Sequence, residues 1–477
     1  MSENNLQQSE GGITMAASNN LSQYLEKEIH CSCGHTHSTN LRRIDIEEGA
    51  LSRLPQHIKE FGYKNIFVVC DVNTWEAAGK AAERELGAAG LDYYTLVLPD
   101  EELVPDEQAV GKVMEVYQKG TDLLLAVGSG TLNDLCKFVS FQLNLDYMIF
   151  ATAPSMDGFV SMGAALIHNH VKTTYQAHVP VAVLGDSEIL AKAPMEMIVA
   201  GLGDILGKYT CLVDWKMAHL IEDEYYCEVI DKMVKESIEI VVEESDGIKQ
   251  RNQEAVKHLM EALVLTGVAM SFVGNSRPAS GSEHHLSHYW EMQFQMEGKK
   301  PILHGIKVGV GMLAVIKMYE MLEKEAPDFA AAKKRQPDYE SWKKKVCDCY
   351  KDAAPGILEL EESCGKNSVE NRNRRLDIME EKWTQIRELI QKEIPSGKEL
   401  EKMMASLGEP VNPQQLGISP ELVKDAVILA KEVRNRFTIL QVLWDLGLLE
   451  EYAEKVAAYF SAGQETYRGQ EAAQKTA

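Results

Sequence analysis

The sequence has little of what a membrane or nucleic-acid protein needs. Its longest apolar stretch free of Asp, Glu, Lys and Arg runs from Ala262 to Ser276, fifteen residues, short of the roughly 18 that a spanning helix requires. No membrane insertion is expected. Positive charge is scarce too: 49 Lys and Arg face 72 Asp and Glu, a net charge of −23, which repels nucleic acid and anionic lipid surfaces. The first twenty residues lack the basic end and apolar run of a secretory signal. Nine cysteines, an odd number scattered along 477 residues, make no disulfide framework. A flexible N-terminal tail on a cytoplasmic chain is the expectation, and no internal repeat is present. What remains is ordinary, 45% hydrophobic and 25% charged residues, enough for a large core in two or three domains.

From Asn65 to Asp186 short apolar, β-branched runs recur: Asn65 to Cys70, Tyr93 to Leu98, Asp122 to Val127, Tyr147 to Ala151 and Val179 to Leu184. They read as buried strands of a largely parallel sheet. The segments between them, notably Trp75 to Ala89, Glu107 to Gln118 and Leu132 to Phe141, have helical spacing, which makes this half α/β. Past Ala193, long Glu-, Lys-, Leu-, Met- and Ala-rich stretches such as Tyr225 to Glu244 and Ala255 to Val273 contain no strand. The division expected is a tail over 1–20, an α/β domain over 21–192 and a helical domain over 193–460. A second tail over 461–477 is too poor in apolar residues to pack. Within the helical half, about 324–401 is unusually charged, with Lys343-Lys344-Lys345 and Asn371-Arg372-Asn373-Arg374-Arg375, and reads as a solvated helical insertion.

Four segments carry chemistry. Gly128-Ser129-Gly130-Thr131 follows an apolar run and precedes a helix, so its glycines would let backbone N–H groups approach a diphosphate at the helix's positive end. A plain turn, with Thr131 as cap and Asp134 closing a capping box, explains it equally well. A third glycine in register is missing, unlike the standard dinucleotide fingerprint. Asp71, just past the first of these strands, suits ribose hydroxyls and would repel a 2'-phosphate, favouring NAD over NADP; it could equally end the strand in a turn. The second segment, Thr152 to Ser161, follows another strand, where α/β ligand crevices open, while ordinary Pro and Asp-Gly turn chemistry accounts for it at least as well. The third is the strongest: Asp204 in Gly201-Leu202-Gly203-Asp204, His284 and His288 one helical turn apart, and His304 at the head of a helix reaching Tyr319. One carboxylate with two or three imidazoles suits a divalent transition metal and leaves a coordination position open. The fourth, His30-Cys31-Ser32-Cys33-Gly34-His35-Thr36-His37, lacks the second ligand pair of a structural zinc site and reads as a local strand and turn.

Taken in order, Ala153-Pro154-Ser155-Met156-Asp157-Gly158, Gly201-Leu202-Gly203-Asp204, Ser276 to His284 and Leu303-His304-Gly305 resemble the sn-glycerol-1-phosphate dehydrogenases. The closer resemblance is to their bacterial AraM-like branch, in the iron-containing alcohol dehydrogenase and dehydroquinate synthase superfamily. It covers about Asn40 to Lys317 and, more weakly, Leu422 to Tyr459. The resemblance implies a dehydroquinate-synthase-like fold, in which an α/β dinucleotide-binding domain precedes an all-helical metal and substrate domain. It implies that Asp204, His284 and His304 hold one divalent metal ion, zinc or nickel ahead of iron. Asp157, Asp204 and His288 are then the catalytic residues. The nicotinamide cofactor, NAD with NADP second, borders Asp71, Gly128, Ser129, Gly130, Thr131, Leu132, Asn133, Asp134, Thr152, Ala153, Pro154, Ser155 and Ser161. Where the wider superfamily often has another His one turn after the Asp ligand, this chain has Lys208, so three metal ligands are expected. Archaeal members commonly have a His where Met156 stands.

The activity implied is reversible reduction of dihydroxyacetone phosphate to sn-glycerol 1-phosphate, in phospholipid synthesis, by a homo-oligomer that takes a small phosphorylated three-carbon substrate. Lys208, Arg277 and Lys172 are the cations offered for its phosphate. Rival readings are a glycerol or other polyol dehydrogenase on the same fold, a dehydroquinate-synthase-like lyase, and a non-catalytic metal-binding protein.

Overall fold

The computed structural model describes residues 21–25, 28–168 and 171–474. The expected tail over 1–20 lies outside them. A six-stranded parallel sheet organises the first half, built from β3 (Arg43–Ile46), β4 (Asn65–Asp71), β5 (Asp92–Leu98), β6 (Leu123–Gly128), β7 (Asp146–Ala151) and β10 (Ala182–Gly185). Their order in space is β3-β10-β7-β6-β4-β5. All six β6 residues are buried, and of β4 only Asn65 is exposed, which is why both read as near-continuous apolar runs. Alternate residues still serve different faces. Leu123, Leu125 and Val127 pack with Leu54, Ile58 and Leu86 on one side, while Leu124 and Ala126 join the large core shared with the helical half.

Three strands escaped the sequence reading. β3 is a four-residue edge strand, Arg-Ile-Asp-Ile, whose charges break any apolar run. The antiparallel pair β8 (Gly163–His168) and β9 (Val171–Gln176) forms a separate ribbon. The local strand and turn expected near Cys31 is present as the hairpin β1 (Ile29–His30) and β2 (Thr36–His37).

Chain order reverses at β4. From there the chain goes to β5 on one side, then to β6 and β7 on the other. The crevice of such a sheet opens at this switch point, beyond the carboxyl ends of β4 and β6. Asp71 and Gly128 are the last residues of those two strands, and Thr152 N donates to Gly128 O at 3.0 Å, holding the next loop alongside.

After β10 every described element is helical. The helix Gln253–Val273 alone among the described residues is long and apolar enough to cross a membrane by length and composition, and its apolar window is 72% buried inside the protein. It packs against the helix Glu228–Glu243 and the turn Gly158–Val160, the behaviour of a core helix.

The charged segment is helical but not merely solvated. Arg372 and Arg375 are buried, and Arg375 Nε and Nη2 donate to the Asp445 carboxylate at 2.5 and 2.8 Å. A buried arginine needs such a planar acceptor, and the acceptor is 70 residues away in sequence, where no charge pattern could reveal it. The last helix, Leu449–Gln474, carries helical backbone into the region expected to be a tail, and Phe460 is buried in the core.

Candidate active site

Glycines bring the central residues together. The helix Met195–Leu206 carries Asp204, and the helix His304–Leu322 begins with His304. They cross so closely that a Cβ on Gly305 would collide with the carbonyl of Ala200, and one on Gly203 with the carbonyl of Gly305. A Cβ on Gly201 would strike the carbonyl of Pro154. Thus Gly201-Leu202-Gly203-Asp204 and Leu303-His304-Gly305 are motifs because the two backbones and the loop after β7 touch there. The helix Ser282–Met296 contributes His284 and His288 from a third direction.

Ligand atoms of Asp204, His284 and His304 lie within 4.8 Å of one another. His284 Nδ1 donates to Glu283 Oε1 at 2.7 Å, and its Nε2 stands 3.5 Å from Asp204 Oδ1. Glu283, missed in the sequence reading, is fully buried and also accepts from Gly281 N and Thr210 Oγ1, each at 2.7 Å. A carboxylate behind a histidine that faces a cation is the usual outer shell of a metal site. The neighbouring Glu283-His284 pair in the sequence was the available signal.

Asp157 N donates to Asp204 Oδ2 at 2.9 Å. Lys208, wholly buried, lies 2.5 Å from Asp157 Oδ2 and donates to Asp204 Oδ1 at 2.9 Å and to the carbonyl of Ala279 at 3.0 Å. Burial and the Asp204 charge push Asp157 above the usual carboxylate range. Burial opposes ionisation of Asp204 as well, but Lys208 and the neighbouring histidines hold it well below that range. Burial would likewise lower His284, yet its bonds to Asp204 and Glu283 raise it. Asp157 and Asp204 share the single ammonium of Lys208 while Glu283 holds His284, and the donor set of Asp204, His284 and His304 fits a divalent cation.

A second group, His288, Glu291 and His304, shares His304 with the first. His288 Nδ1 lies 3.6 Å from Glu291 Oε2, and Arg434 Nη2 lies 3.5 Å from His288 Nε2. Arg434 Nη1 donates to Ser276 Oγ at 3.1 Å; Arg436 donates to the same oxygen at 2.9 Å and to the carbonyl of Ser280 at 2.9 Å. Burial, then Arg434 and Arg277, push Arg436 down to about 9. Neither guanidinium has a carboxylate in ion-pair contact among the described residues, and neither was singled out from sequence.

The cations that were singled out are committed elsewhere. Lys208 serves the two aspartates, and Arg277 grips Glu224 through Nε at 2.7 Å and Nη2 at 2.9 Å. The Lys172 side chain lies outside the described residues.

Around the crevice the expected cofactor residues divide. Ser129 is the N-cap of the helix Gly130–Leu143 and makes no side-chain capping bond, so the alternative of Thr131 as cap with Asp134 closing a box does not hold. Asp71 Oδ1 accepts from Thr74 N at 2.7 Å, capping the turn after β4. Thr152, Ala153, Pro154 and Ser155 follow β7 beside Gly128. Leu132 packs into the core. Asn133, Asp134 and Ser161 instead surround Lys137, a fully buried residue the sequence reading passed over. Lys137 Nζ donates to Gly158 O at 2.7 Å, Ser161 Oγ at 3.1 Å, Gly163 O at 3.1 Å and Asp134 Oδ1 at 3.4 Å, while Asn133 Nδ2 donates to Gly158 O at 3.3 Å. This network ties the loop that carries Asp157 to the helix after the glycine turn.

Known proteins resemble the chain over most of its length. Residues 45–194 match the family model for iron-containing alcohol dehydrogenases. The chain is 33% identical over 439 residues, 90% of its own length and 100% of the relative's, to a glycerol-1-phosphate dehydrogenase [NAD(P)+] of Geobacillus stearothermophilus. The protein of that name from Methanosarcina acetivorans is 29% identical over 419 residues, covering 87% of this chain and 94% of the relative. Among solved structures, a probable glycerol dehydrogenase from Sinorhizobium meliloti 1021 has a TM-score of 0.59 at 18% identity, covering 89% of this chain and 98% of that one. The maleylacetate reductase of Agrobacterium tumefaciens has a TM-score of 0.56 at 15% identity, covering 88% and 98%. At those identities the structures share the fold.

Proposed function

The chain belongs to the glycerol-1-phosphate dehydrogenase [NAD(P)+] family, and from that premise we propose that it reversibly reduces dihydroxyacetone phosphate to sn-glycerol 1-phosphate with a nicotinamide cofactor and a divalent metal ion. The observation that carries the phosphate substrate is the Arg434 and Arg436 pair. Two cations with neutral partners, Ser276 and Ser280 oxygens and the His288 ring, adjoin one another, and Arg434 reaches His288 of the ligand cluster, a ready counter-charge for a dianion.

Asp204, His284 and His304 are the residues that would hold the metal, with Glu283 orienting His284. When bound, the ion polarises the ketone and the reduced nicotinamide supplies hydride. The chain's own residues do the rest. Gly128, Gly130 and the head of the 14-residue helix Gly130–Leu143 would hold the cofactor's diphosphate, and Asp71 would accept from its ribose, which favours NADH over NADPH. Lys208 keeps Asp157 and Asp204 from repelling each other. His288, between Arg434 and Glu291, gives the proton to the oxygen that gains charge as hydride arrives. One carboxylate and two imidazoles accept zinc, nickel or iron, and the resemblance to the family puts zinc or nickel first.

The test is NADH oxidation by metal-loaded enzyme with dihydroxyacetone phosphate against unphosphorylated dihydroxyacetone. The phosphate ester should be used at a far higher kcat/KM, and its product should resist a dehydrogenase specific for sn-glycerol 3-phosphate. Equal use of both ketones, or the opposite product stereochemistry, would overturn the proposal.

A further inference from the structure

No sheet beyond its own two strands holds the N-terminal hairpin, which meets the helical half only through side chains, with His37 stacked on Phe272 and His35 edge-on to Tyr225. β1 and β2 contribute two residues each and pair only with one another, and an isolated hairpin of that size is unstable in water. Its cysteines nevertheless converge with a third from far away. Cys31 Sγ lies 3.5 Å from Cys227 Sγ, Cys33 Sγ 3.4 Å from His37 Nε2, and Cys227 Sγ 3.6 Å from the same nitrogen. Ligand atoms of all four residues lie within 4.8 Å of one another. Zinc bonds of about 2.3 Å to sulfur and about 2.05 Å to nitrogen give a tetrahedron with edges of about 3.8 Å between sulfurs and about 3.6 Å from sulfur to nitrogen. The observed separations approach those edges.

We propose that Cys31, Cys33, His37 and Cys227 form a structural Cys3His zinc site that staples the N-terminal hairpin to the helical half. The surroundings are those of a closed site. His37 and Cys227 are buried, and Cys31 and Cys33 are half-buried. His37 Nδ1 is 3.2 Å from the carbonyl of Phe272, and donation there leaves Nε2 as a lone pair aimed at the sulfurs, the outer-shell bond typical of a ligating histidine. Gly34, at φ +86°, allows the tight turn in which Gly34 N donates to Cys31 O. Cys227 is the N-cap of the 16-residue helix Glu228–Glu243, where the helix dipole favours a thiolate. Tyr225 OH stands 3.3 Å from Cys33 Sγ, a donor for the negative charge that three thiolates leave around one dication. The second ligand pair missing from the local sequence is supplied by His37 and by Cys227, 194 positions after Cys33.

The test is elemental analysis of the full-length enzyme purified without chelator or added metal. Wild type should carry one zinc per chain beyond the metal lost in His304→Ala. Cys227→Ser, and separately the double variant Cys31→Ser with Cys33→Ser, should each lose that one equivalent, keep the metal lost in His304→Ala and still turn over dihydroxyacetone phosphate. Should a variant fail to fold, titrating native wild type with an organomercurial while reading zinc release with a chromophoric indicator replaces it; one zinc should appear as three thiols are capped. The site is refuted if wild type neither contains nor takes up this extra zinc, or if the variants retain it. A Cys31–Cys227 disulfide in freshly purified protein, found by mass spectrometry of unreduced peptides, would also overturn it.

Discussion

Glu283 Oε1 accepts from His284 Nδ1 at 2.7 Å, and this turns Nε2 of the same ring toward Asp204 Oδ1, 3.5 Å away. A neutral histidine so held presents a lone pair to a carboxylate lone pair, an arrangement that only a cation between them, or a proton, relieves. The raised basicity of His284 expresses the same demand.

His304→Ala is expected to lose both metal and turnover, because two remaining protein ligands bind a divalent ion much more weakly. His288→Ala should keep the metal while kcat falls on the order of a hundredfold or more, the usual loss of a general acid. Elemental analysis and steady-state reduction of dihydroxyacetone phosphate check both variants. Metal loss in His288→Ala with retention in His304→Ala would overturn the ligand assignment, since His304 belongs to both candidate clusters.

Removing a guanidinium from the phosphate pocket should raise KM more than it lowers kcat. For Arg434→Gln or Arg436→Gln the loss of a charge-assisted bond of roughly 1.5–3 kcal/mol corresponds to about a ten- to hundredfold rise in KM for the phosphorylated ketone. Unphosphorylated dihydroxyacetone should be affected little. An equal loss on both ketones would mean that the arginines only support His288.

Asp71→Ala should narrow the preference for NADH over NADPH, since a 2'-phosphate would no longer meet like charge. Because Asp71 also caps the turn after β4 through Thr74 N at 2.7 Å, about 1 kcal/mol of stability should go with it. The ratio of kcat/KM for the two cofactors, with a urea melt in parallel, separates the two effects. An unchanged ratio in a destabilised protein would leave Asp71 as a cap alone.

Gly305→Ala tests the helix crossing itself. A Cβ there meets the carbonyl of Ala200 on the facing helix, so the two helices must part and carry Asp204 away from His304. Metal affinity is expected to drop sharply even though no ligand has changed. A variant with full metal content would show that the crossing tolerates more space than its geometry implies.

Acid stability should depend on Glu432, which joins the charged segment to the body of the helical half. Burial raises this carboxyl, but Lys431 and Lys366 outweigh it and bring it from 4.5 down to about 2; Lys366 Nζ is 3.0 Å away, and Trp342 Nε1 donates to it at 2.8 Å. A depressed folded-state value contributes stability above pH 4.5 that disappears as pH falls toward 2. The contribution is on the order of 3 kcal/mol. Glu432→Gln should therefore be less stable than wild type at neutral pH and show a shallower loss between pH 4.5 and 2, measured by urea unfolding at each pH.

The alternation of apolar runs with helical segments, then helices alone, was legible in the sequence because strand and helix periodicity are local properties. So were Asp204, His284 and His304, since each sits in a short motif whose glycines or neighbouring glutamate already record close packing. Tertiary structure alone decided which distant groups meet. Cys227 meets the Cys31 and Cys33 cluster, Arg434 reaches His288, and Asp445 receives Arg375, each across more than 65 residues of chain. It also decided that Lys208 and Arg277 are already neutralised by Asp157, Asp204 and Glu224. Sequence spacing records contacts within a turn of helix or a strand; the partner of a buried charge or thiol is set by the packing of whole elements, which no local pattern encodes.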